Sequence, residues 1–131
     1  MNEKQLQQEF MEYQYLQKQA ETMQTQASQL RDTINETNSS IQALENLGSE
    51  TIYSIGSGVL VKAKNSSDKV LVEVGARVVV EKTIPDAIVF LKERIKKLES
   101  AQEKYVSTFE EILSKLQEKE ALLQKAREKV D

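Results

Sequence analysis

The fold is decided by residues 48–85, which read GSETIYSIGSGVLVKAKNSSDKVLVEVGARVVVEKTIP. All four glycines and the only proline of the 131-residue chain fall in this stretch, together with eight of its eleven valines. Glycine and proline disfavour the interior of a helix, whereas valine favours strands. The sequence therefore predicts a single domain in which two long helices, residues 1–47 and 85–131, flank a β-rich insert, residues 48–84.

The insert predicts four short strands, at residues 51–55, 59–64, 69–74 and 77–82, separated by glycine- and serine-containing turns. They form either two hairpins or one four-stranded meander. Alternation leaves apolar side chains on both faces, and one pair of helices cannot cover them all. Open strand edges also invite pairing with another chain, so we expect closure by oligomerisation. The candidate interface residues are Val59, Leu60, Val61, Val70, Leu71, Val72, Val74, Val78, Val79 and Val80.

The C-terminal flank carries a heptad repeat, in which residues on one face recur at spacings that alternate between three and four. Thr83, Pro85 and Asp86 form a typical helix start. Only Gln102 and Lys119 interrupt the otherwise apolar or aromatic seam, which consists of Ile88, Leu91, Ile95, Leu98, Gln102, Tyr105, Phe109, Ile112, Leu116, Lys119, Leu123, Ala126 and Val130.

The N-terminal flank repeats the pattern with smaller residues. Gly48 is the expected stop. Upstream, Leu6, Phe10 and Tyr13 continue the spacing, but the step from Tyr13 to Leu16 is one residue short, a stammer that overwinds a coiled coil. The unbroken part of this seam is Leu16, Ala20, Met23, Ala27, Leu30, Ile34, Thr37, Ile41 and Leu44.

Two flanks of nearly equal length, joined by a compact insert, favour an antiparallel coiled-coil hairpin within one chain. Phe10 then faces Leu123, and both termini lie at the far tip. A parallel coil would require a second chain, with the insert in the middle of the rod. The expected fold class is mainly α, with a β insert of two hairpins that oligomerises into a β-barrel.

The composition argues against most enzymatic chemistry. The chain has no histidine and no cysteine, which leaves no Ser-His-Asp or Cys-His nucleophile and no disulfide, and we expect no metal or cofactor. A net charge of −3, from 18 basic and 21 acidic residues, argues against a nucleic-acid surface. No apolar run approaches the roughly 20 residues of a membrane span, and the first residues do not resemble a signal peptide. We expect a soluble intracellular protein.

Two strings in the insert resemble the α-class subunit of prefoldin: IGSGVLVKA at residues 55–63 and VEVGARVVVEKT at residues 72–83. The order of elements, the chain length and an insert long enough for two hairpins are similar as well. Arg77 departs from the pattern, because many members carry a second glycine at this turn.

The resemblance implies a hexamer of two α-class and four β-class subunits, in which the hairpins build a double β-barrel and six coiled-coil arms extend from it. It also implies an ATP-independent cytoplasmic chaperone that holds non-native polypeptides and passes them to a group II chaperonin. Nucleic acid and membranes are not expected as partners.

A chaperone of this kind needs apolar groups that its own packing leaves accessible, and the tips of the arms offer them. Off the seam lie Met11, Tyr15, Leu113 and Leu122, which we expect to cluster at the free end. On the seam, where helix fraying and the stammer leave burial incomplete, lie Leu6, Phe10, Tyr13, Leu123, Ala126 and Val130. The alternative is that the seam residues are ordinary coiled-coil core and that the chain is a structural tether or spacer without client binding.

Overall fold

The computed structural model describes residues 2–130, apart from the side chain of Val130. Two long helices flank four strands, which confirms the predicted mainly α class and the helix–β–helix order. In the described residues, no helix is long and apolar enough to cross a membrane. The elements are α1 (Glu3–Glu45), β1 (Glu50–Gly56), β2 (Val59–Lys64), β3 (Lys69–Gly75), β4 (Val78–Thr83) and α2 (Ile84–Val130).

Side-chain caps begin both helices. At the start of α1 the amide of Gln5 donates to Asn2 Oδ1 at 2.8 Å, and the amide of Asn2 donates to Gln5 Oε1 at 3.2 Å. This reciprocal pair satisfies two amides that the helix itself leaves unpaired. At the start of α2 the amide of Asp86 donates to Thr83 Oγ1 at 3.3 Å, as predicted.

The end of α1 comes earlier than the sequence predicts. The helix ends at Glu45, not at the Leu47–Gly48 step. At this end both the backbone amide and the side-chain Nδ2 of Asn46 donate to the Gln42 carbonyl, at 3.2 Å and 2.8 Å. The next amide, that of Leu47, donates to the Leu44 carbonyl at 3.4 Å, so the bonding pattern of the α-helix stops here.

The chain divides into two compact units. The arm unit combines the chain up to Thr33 with the chain from Leu98 onward, and the hairpin unit spans Ile34–Lys97. In the arm unit, Gln102 bonds Ala27, and Lys119 bonds both Glu9 and Glu12. Later residues of α2 thus pair with earlier residues of α1, so the two helical segments run antiparallel within one chain, as predicted.

The predicted seam is the inner face of the helices in both units. Every seam position from Leu16 to Leu44 and from Ile88 to Ala126 is buried or half-buried. The most buried side chains of the hairpin unit lie on this seam or, for Ala87, next to it; they are Ile34, Thr37, Ile41, Ala87, Leu91 and Ile95. Ala20 and Ile112 are the corresponding buried residues of the arm unit.

The strands form two separate two-stranded sheets, which settles the choice between hairpins and a meander. Hairpin 1 joins β1 to β2, and hairpin 2 joins β3 to β4. Their registers match step for step: Glu50↔Lys64 corresponds to Lys69↔Thr83, and Gly56↔Val59 corresponds to Gly75↔Val78. Each has an irregularity just before its turn, so hairpin 2 repeats the construction of hairpin 1.

Both turns place two residues in the left-handed region of backbone space, the geometry of a two-residue type I′ hairpin turn. Ser57 and Gly58 have φ of 52° and 77°, and Ala76 and Arg77 have φ of 49° and 63°. Arg77 therefore adopts the conformation that a glycine provides in hairpin 1. The departure from the glycine pattern leaves the turn type unchanged, at the cost of local backbone strain.

Each hairpin is attached to the rest of the hairpin unit by a different set of hydrogen bonds. In hairpin 1 the amide of Asn65 donates to the Ser49 carbonyl at 2.8 Å, and its side chain bonds Gly48 and Tyr53. In hairpin 2 the guanidinium of Arg94 donates to the Glu73 carbonyl at 2.8 Å. These bonds fix one side of each hairpin against the rest of the hairpin unit.

Hairpin 2 has a second attachment, made by cations on an aromatic ring. The Arg94 guanidinium carbon lies 4.7 Å, and Lys82 Nζ 5.1 Å, from the centre of the Phe90 ring. Such cation–π contacts stabilise by about 0.5–1 kcal/mol each at partly exposed sites. Phe90, which is off the seam of α2, is thus half-buried by β4 and by its own helix.

Candidate functional site

An open groove of about 950 Å³ lies in the arm unit between the start of α1 and the end of α2. The α1 side of the groove is mostly apolar, and the α2 side is mostly polar and charged. Its lining comprises Leu6, Gln7, Phe10, Met11 and Tyr13 from α1, and Glu120, Leu123, Gln124, Arg127 and Glu128 from α2. Phe10 and Leu123 both line it, in agreement with the predicted facing of these two residues.

Phe10 is the main apolar side chain that the groove presents. It occupies a seam position, yet 51% of its surface is exposed. Seam residues normally pack into the facing helix. The short step from Tyr13 to Leu16 changes the phase of the seam upstream, where Glu9, one position before Phe10, is half-buried. Leu6, Tyr13, Leu123 and Ala126 stay half-buried at their seam positions.

The off-seam residues are exposed, but the structure does not bring them together as we expected. Met11, at 68% exposure, lines the groove. Leu113 follows the seam residue Ile112, whereas Leu122 precedes Leu123. Because successive helical residues differ by about 100°, these two leucines lie on opposite flanks of α2. Tyr15 is exposed and accepts a hydrogen bond from Gln19 at 2.9 Å. The side chain of Val130, also predicted for this site, lies outside the described residues.

A three-residue ion cluster joins the helices next to the groove. Lys119 Nζ lies 2.6 Å from an oxygen of Glu9 and 2.6 Å from an oxygen of Glu12. The hydrogen bonds that Lys119 donates to the two carboxylates raise the pKa of Lys119 above its usual 10.5, and the bond to Glu12 has the larger effect. The polar interruption of the seam at Lys119 is therefore a cross-helix connection, here called the lysine clasp.

The lysine clasp and the groove lie on opposite flanks of the helix pair. Glu9 and Glu12 immediately precede the seam residues Phe10 and Tyr13, whereas Met11 follows Phe10. The clasp thus holds the two helices together behind the groove. The second polar interruption, Gln102, also reaches across, since its Nε2 donates to the Ala27 carbonyl at 3.3 Å.

Sequence reasoning missed the lysine clasp and the polar side of the groove. The available signal was the pair of glutamates directly before two α1 seam positions, opposite the only charged residue of the α2 seam. The pattern of the polar lining residues is typical of a solvated helix surface, so they were not predicted for the site. They are Gln7, Glu120, Gln124, Arg127 and Glu128.

The hairpin unit offers a second candidate surface, the outward faces of the two hairpins. Side chains on directly paired residues share a face, and the faces alternate along each strand. All the half-buried strand residues lie on one face of their hairpin; they are Thr51, Ala63, Val70, Val72 and Lys82. The opposite, outward face exposes Ile52 and Leu60 in hairpin 1, and Leu71 and Val79 in hairpin 2.

Most predicted interface residues are exposed in the single chain. Val70 and Val72 are half-buried on the inward face of hairpin 2, and the exposed ones are Val59, Leu60, Val61, Leu71, Val74, Val78, Val79 and Val80. Sequence reasoning did not include Ile52, Tyr53 and Ile55 of β1, all of which are exposed. Isolated two-stranded hairpins with so much exposed apolar surface are marginally stable in water.

Comparison with known proteins supplies the family. The family model of the prefoldin subunit matches residues 4–129. The chain belongs to the prefoldin family. Among curated prefoldin proteins, the α subunit of Archaeoglobus fulgidus is 38% identical over 123 residues, covering 88% of this chain and 89% of the relative. The α subunit of Methanoregula boonei is 35% identical over 105 residues, covering 76% of this chain and 69% of the relative. The chain is thus an α-class prefoldin subunit, and prefoldin is a family of chaperone subunits.

Solved structures show the same prefoldin fold. A filamentous prefoldin from Methanocaldococcus jannaschii matches with a TM-score of 0.69 at 24% identity, covering 82% of this chain and 94% of the other. The prefoldin β subunit from Thermococcus strain KS-1 matches with a TM-score of 0.68 at 21% identity, covering 93% of this chain and 91% of the other.

Proposed function

We propose that this chain is one subunit of an ATP-independent cytoplasmic chaperone that holds non-native polypeptides at its arm tips and delivers them to a group II chaperonin. The observation that carries this proposal is the groove at the end of the arm unit. Its exposed Phe10 and Met11 are not used by internal packing, and its polar α2 side keeps the surface soluble.

Binding in such a groove is weak for one arm and strong for several. Covering one large apolar side chain contributes about 1.5–3 kcal/mol, and part of that is offset by ordering the client. When several arms hold one client, each further contact becomes intramolecular and the affinity multiplies. The proposed mechanism therefore requires an oligomer. It needs no nucleotide hydrolysis, because the combined binding of several arms is enough to hold the client.

The outward faces of the hairpins are the proposed means of assembly. We infer that they join β-class subunits in a hexamer of two α and four β chains, where the hairpins close into a double β-barrel. Closure would cover the exposed apolar residues and pair the strand edges that each two-stranded sheet leaves open.

Aggregation of a denatured test protein, followed by light scattering with this chain and a β-class partner, tests the chaperone role. The parent complex should suppress scattering at stoichiometric ratios without nucleotide. The variant Phe10→Ser/Met11→Ser should assemble normally and protect several-fold less. The matched control, Tyr15→Ser/Leu122→Ser, removes exposed apolar residues outside the groove and should protect almost as well as the parent.

Two outcomes would count against the proposal. If the Phe10→Ser/Met11→Ser complex protects the client like the parent, the groove is not the binding surface. If the parent complex gives no protection at all, the structural tether becomes the better account of these arms. Delivery is tested separately, by adding a group II chaperonin and measuring whether labelled client moves from the prefoldin fraction to the chaperonin fraction.

A further inference from the structure

The side of α2 that lines the groove continues along the arm beyond the groove itself. Glu120, Gln124 and Arg127 line the groove, and each directly follows a seam residue. Leu113 and Val106 also directly follow seam residues, so they lie on the same side of the helix, here called the groove flank. They are 39% and 38% exposed. These two side chains extend the apolar surface of the groove toward the middle of the arm.

The charges of the groove flank are mostly negative. Between residues 98 and 127, its charged members are Glu99, Glu103, Glu110, Glu120 and Arg127, all of them exposed. The α1 side adds one charge of each sign, Glu21 and Arg31, and leaves this balance unchanged.

The opposite side of α2 has the other sign. The residues that directly precede a seam residue are here called the back flank. Between residues 98 and 129, its charged members are Lys104, Lys115, Lys125, Lys129, Glu111 and Glu118. The arm unit therefore presents its acidic side chains together with Leu113 and Val106, and most of its lysines on the other side.

The glutamates of the groove flank are not neutralised within the chain. In residues 2–130, both ion pairs are made by Lys119, with Glu9 and Glu12 behind the groove. No lysine or arginine lies three or four positions from Glu110 or Glu120 along α2, so no helical neighbour is placed to pair with them. Free carboxylates beside exposed apolar side chains favour a partner that is apolar and cationic.

We propose that the groove and the groove flank together select apolar segments of non-native polypeptides that carry lysine or arginine between their apolar residues. The apolar side chains of such a segment cover Phe10, Met11 and Leu113, while its cations approach Glu110 and Glu120. A segment that carries aspartate or glutamate instead is disfavoured, because like charges then meet. This proposal rests on the client-binding role proposed above and adds to it the charge class of the client.

Photo-crosslinking in the complex with a β-class partner tests the selection. Three peptides carry the same photoreactive group and the same apolar residues, and differ only in whether the intervening residues are lysine, glutamine or glutamate. A tag on this chain separates its labelled product from those of the other arms. The lysine peptide should label this chain roughly three- to tenfold more than the glutamate peptide, because a few exposed ion pairs, each weak, combine.

Salt and matched variants show where the selection arises. At about 1 M salt, where the Debye length is about 3 Å, the lysine and glutamate peptides should label equally, while labelling by the glutamine peptide persists. Glu110→Lys/Glu120→Lys should invert the preference, and Glu110→Gln/Glu120→Gln should weaken it. The control Glu111→Lys/Glu118→Lys makes the same change in net charge on the back flank and should keep the preference for the lysine peptide.

The outcomes separate this selection from client binding as such. Equal labelling of the parent by all three peptides would overturn the selection and leave client binding in place. Loss of the preference in the back-flank control as well as in Glu110→Lys/Glu120→Lys would also overturn it, because net charge would then be the cause. If none of the peptides labels this chain, the selection and the client-binding role both fail.

Discussion

At the scale of single residues, the hairpin repeat identifies one polar atom that lacks a partner. Thr51 Oγ1 is buried and has no hydrogen-bond partner in the described structure, and the equivalent residue of hairpin 2 is Val70. Thr51→Val should therefore raise the free energy of unfolding by about 1 kcal/mol, because an unsatisfied buried hydroxyl is removed without a change of shape. Chemical denaturation measures this. The reverse change, Val70→Thr, should be destabilising, and equal stabilities of parent and Thr51→Val would show that the hydroxyl has a partner after all.

The strained turn at Arg77 gives a second prediction at this scale. A side chain in the left-handed region costs about 1–2 kcal/mol, and the greater freedom of glycine in the unfolded chain offsets part of that. Arg77→Gly should therefore stabilise the assembled protein by about 0.5–1 kcal/mol in thermal unfolding. The control Gly58→Ala creates the same strain in hairpin 1, where an added Cβ meets no atom within 4 Å. It should lower stability by a similar amount, and a stabilising Gly58→Ala would contradict the argument.

At the scale of elements, the lysine clasp should make the stability of the paired arm helices fall at alkaline pH. The folded protein holds the pKa of Lys119 above 10.5. A cation with a raised folded pKa contributes its full stability below the unfolded pKa and loses it as the pH rises through the folded value. We expect stability of the parent, relative to Lys119→Met, to be constant up to about pH 10 and to fall above it. Thermal unfolding followed by circular dichroism from pH 8 to 12 measures the stabilities of the parent and of Lys119→Met. A stability difference that stays constant over this whole range would contradict the clasp.

The elements also show what the sequence could and could not predict. The helix–β–helix order, the four strands and the seam followed from glycine placement, valine content and heptad spacing, because each depends on local preference or on a repeating pattern. The incomplete burial of Phe10 was expected from the stammer, whereas the lysine clasp did not follow from the sequence. The clasp depends on which side chains of the two helices meet across the pair, and a linear pattern does not give that geometry. The exposed residues Ile52 and Ile55 of β1 were missed because the predicted interface rested on the valine-rich strands β2, β3 and β4.

At the scale of the whole molecule, the arm tip and the hairpins have separable proposed roles, holding and assembly. Residues 122–131 contribute Leu123, Gln124, Arg127 and Glu128 to the groove, whereas both hairpins lie in the hairpin unit. Deleting 122–131 should leave the oligomer intact in sedimentation while reducing protection of an aggregating client more than Phe10→Ser/Met11→Ser does. The deletion removes one side of the groove and unpairs Leu6 and Phe10, whereas the substitutions only trim the other side.

An unpaired charge on a hairpin face should give the opposite result. Val79→Glu places an ion on the outward face of hairpin 2 and leaves every groove residue in place, so any loss of client protection should follow the loss of assembly. The reason is multivalency, since a single groove buries too little apolar surface to hold a client tightly. Protection and sedimentation are measured on the same samples with the β-class partner. If protection stays at the parental level while the Val79→Glu chain sediments as a monomer, single arms suffice, and the proposed binding by several arms at once is wrong.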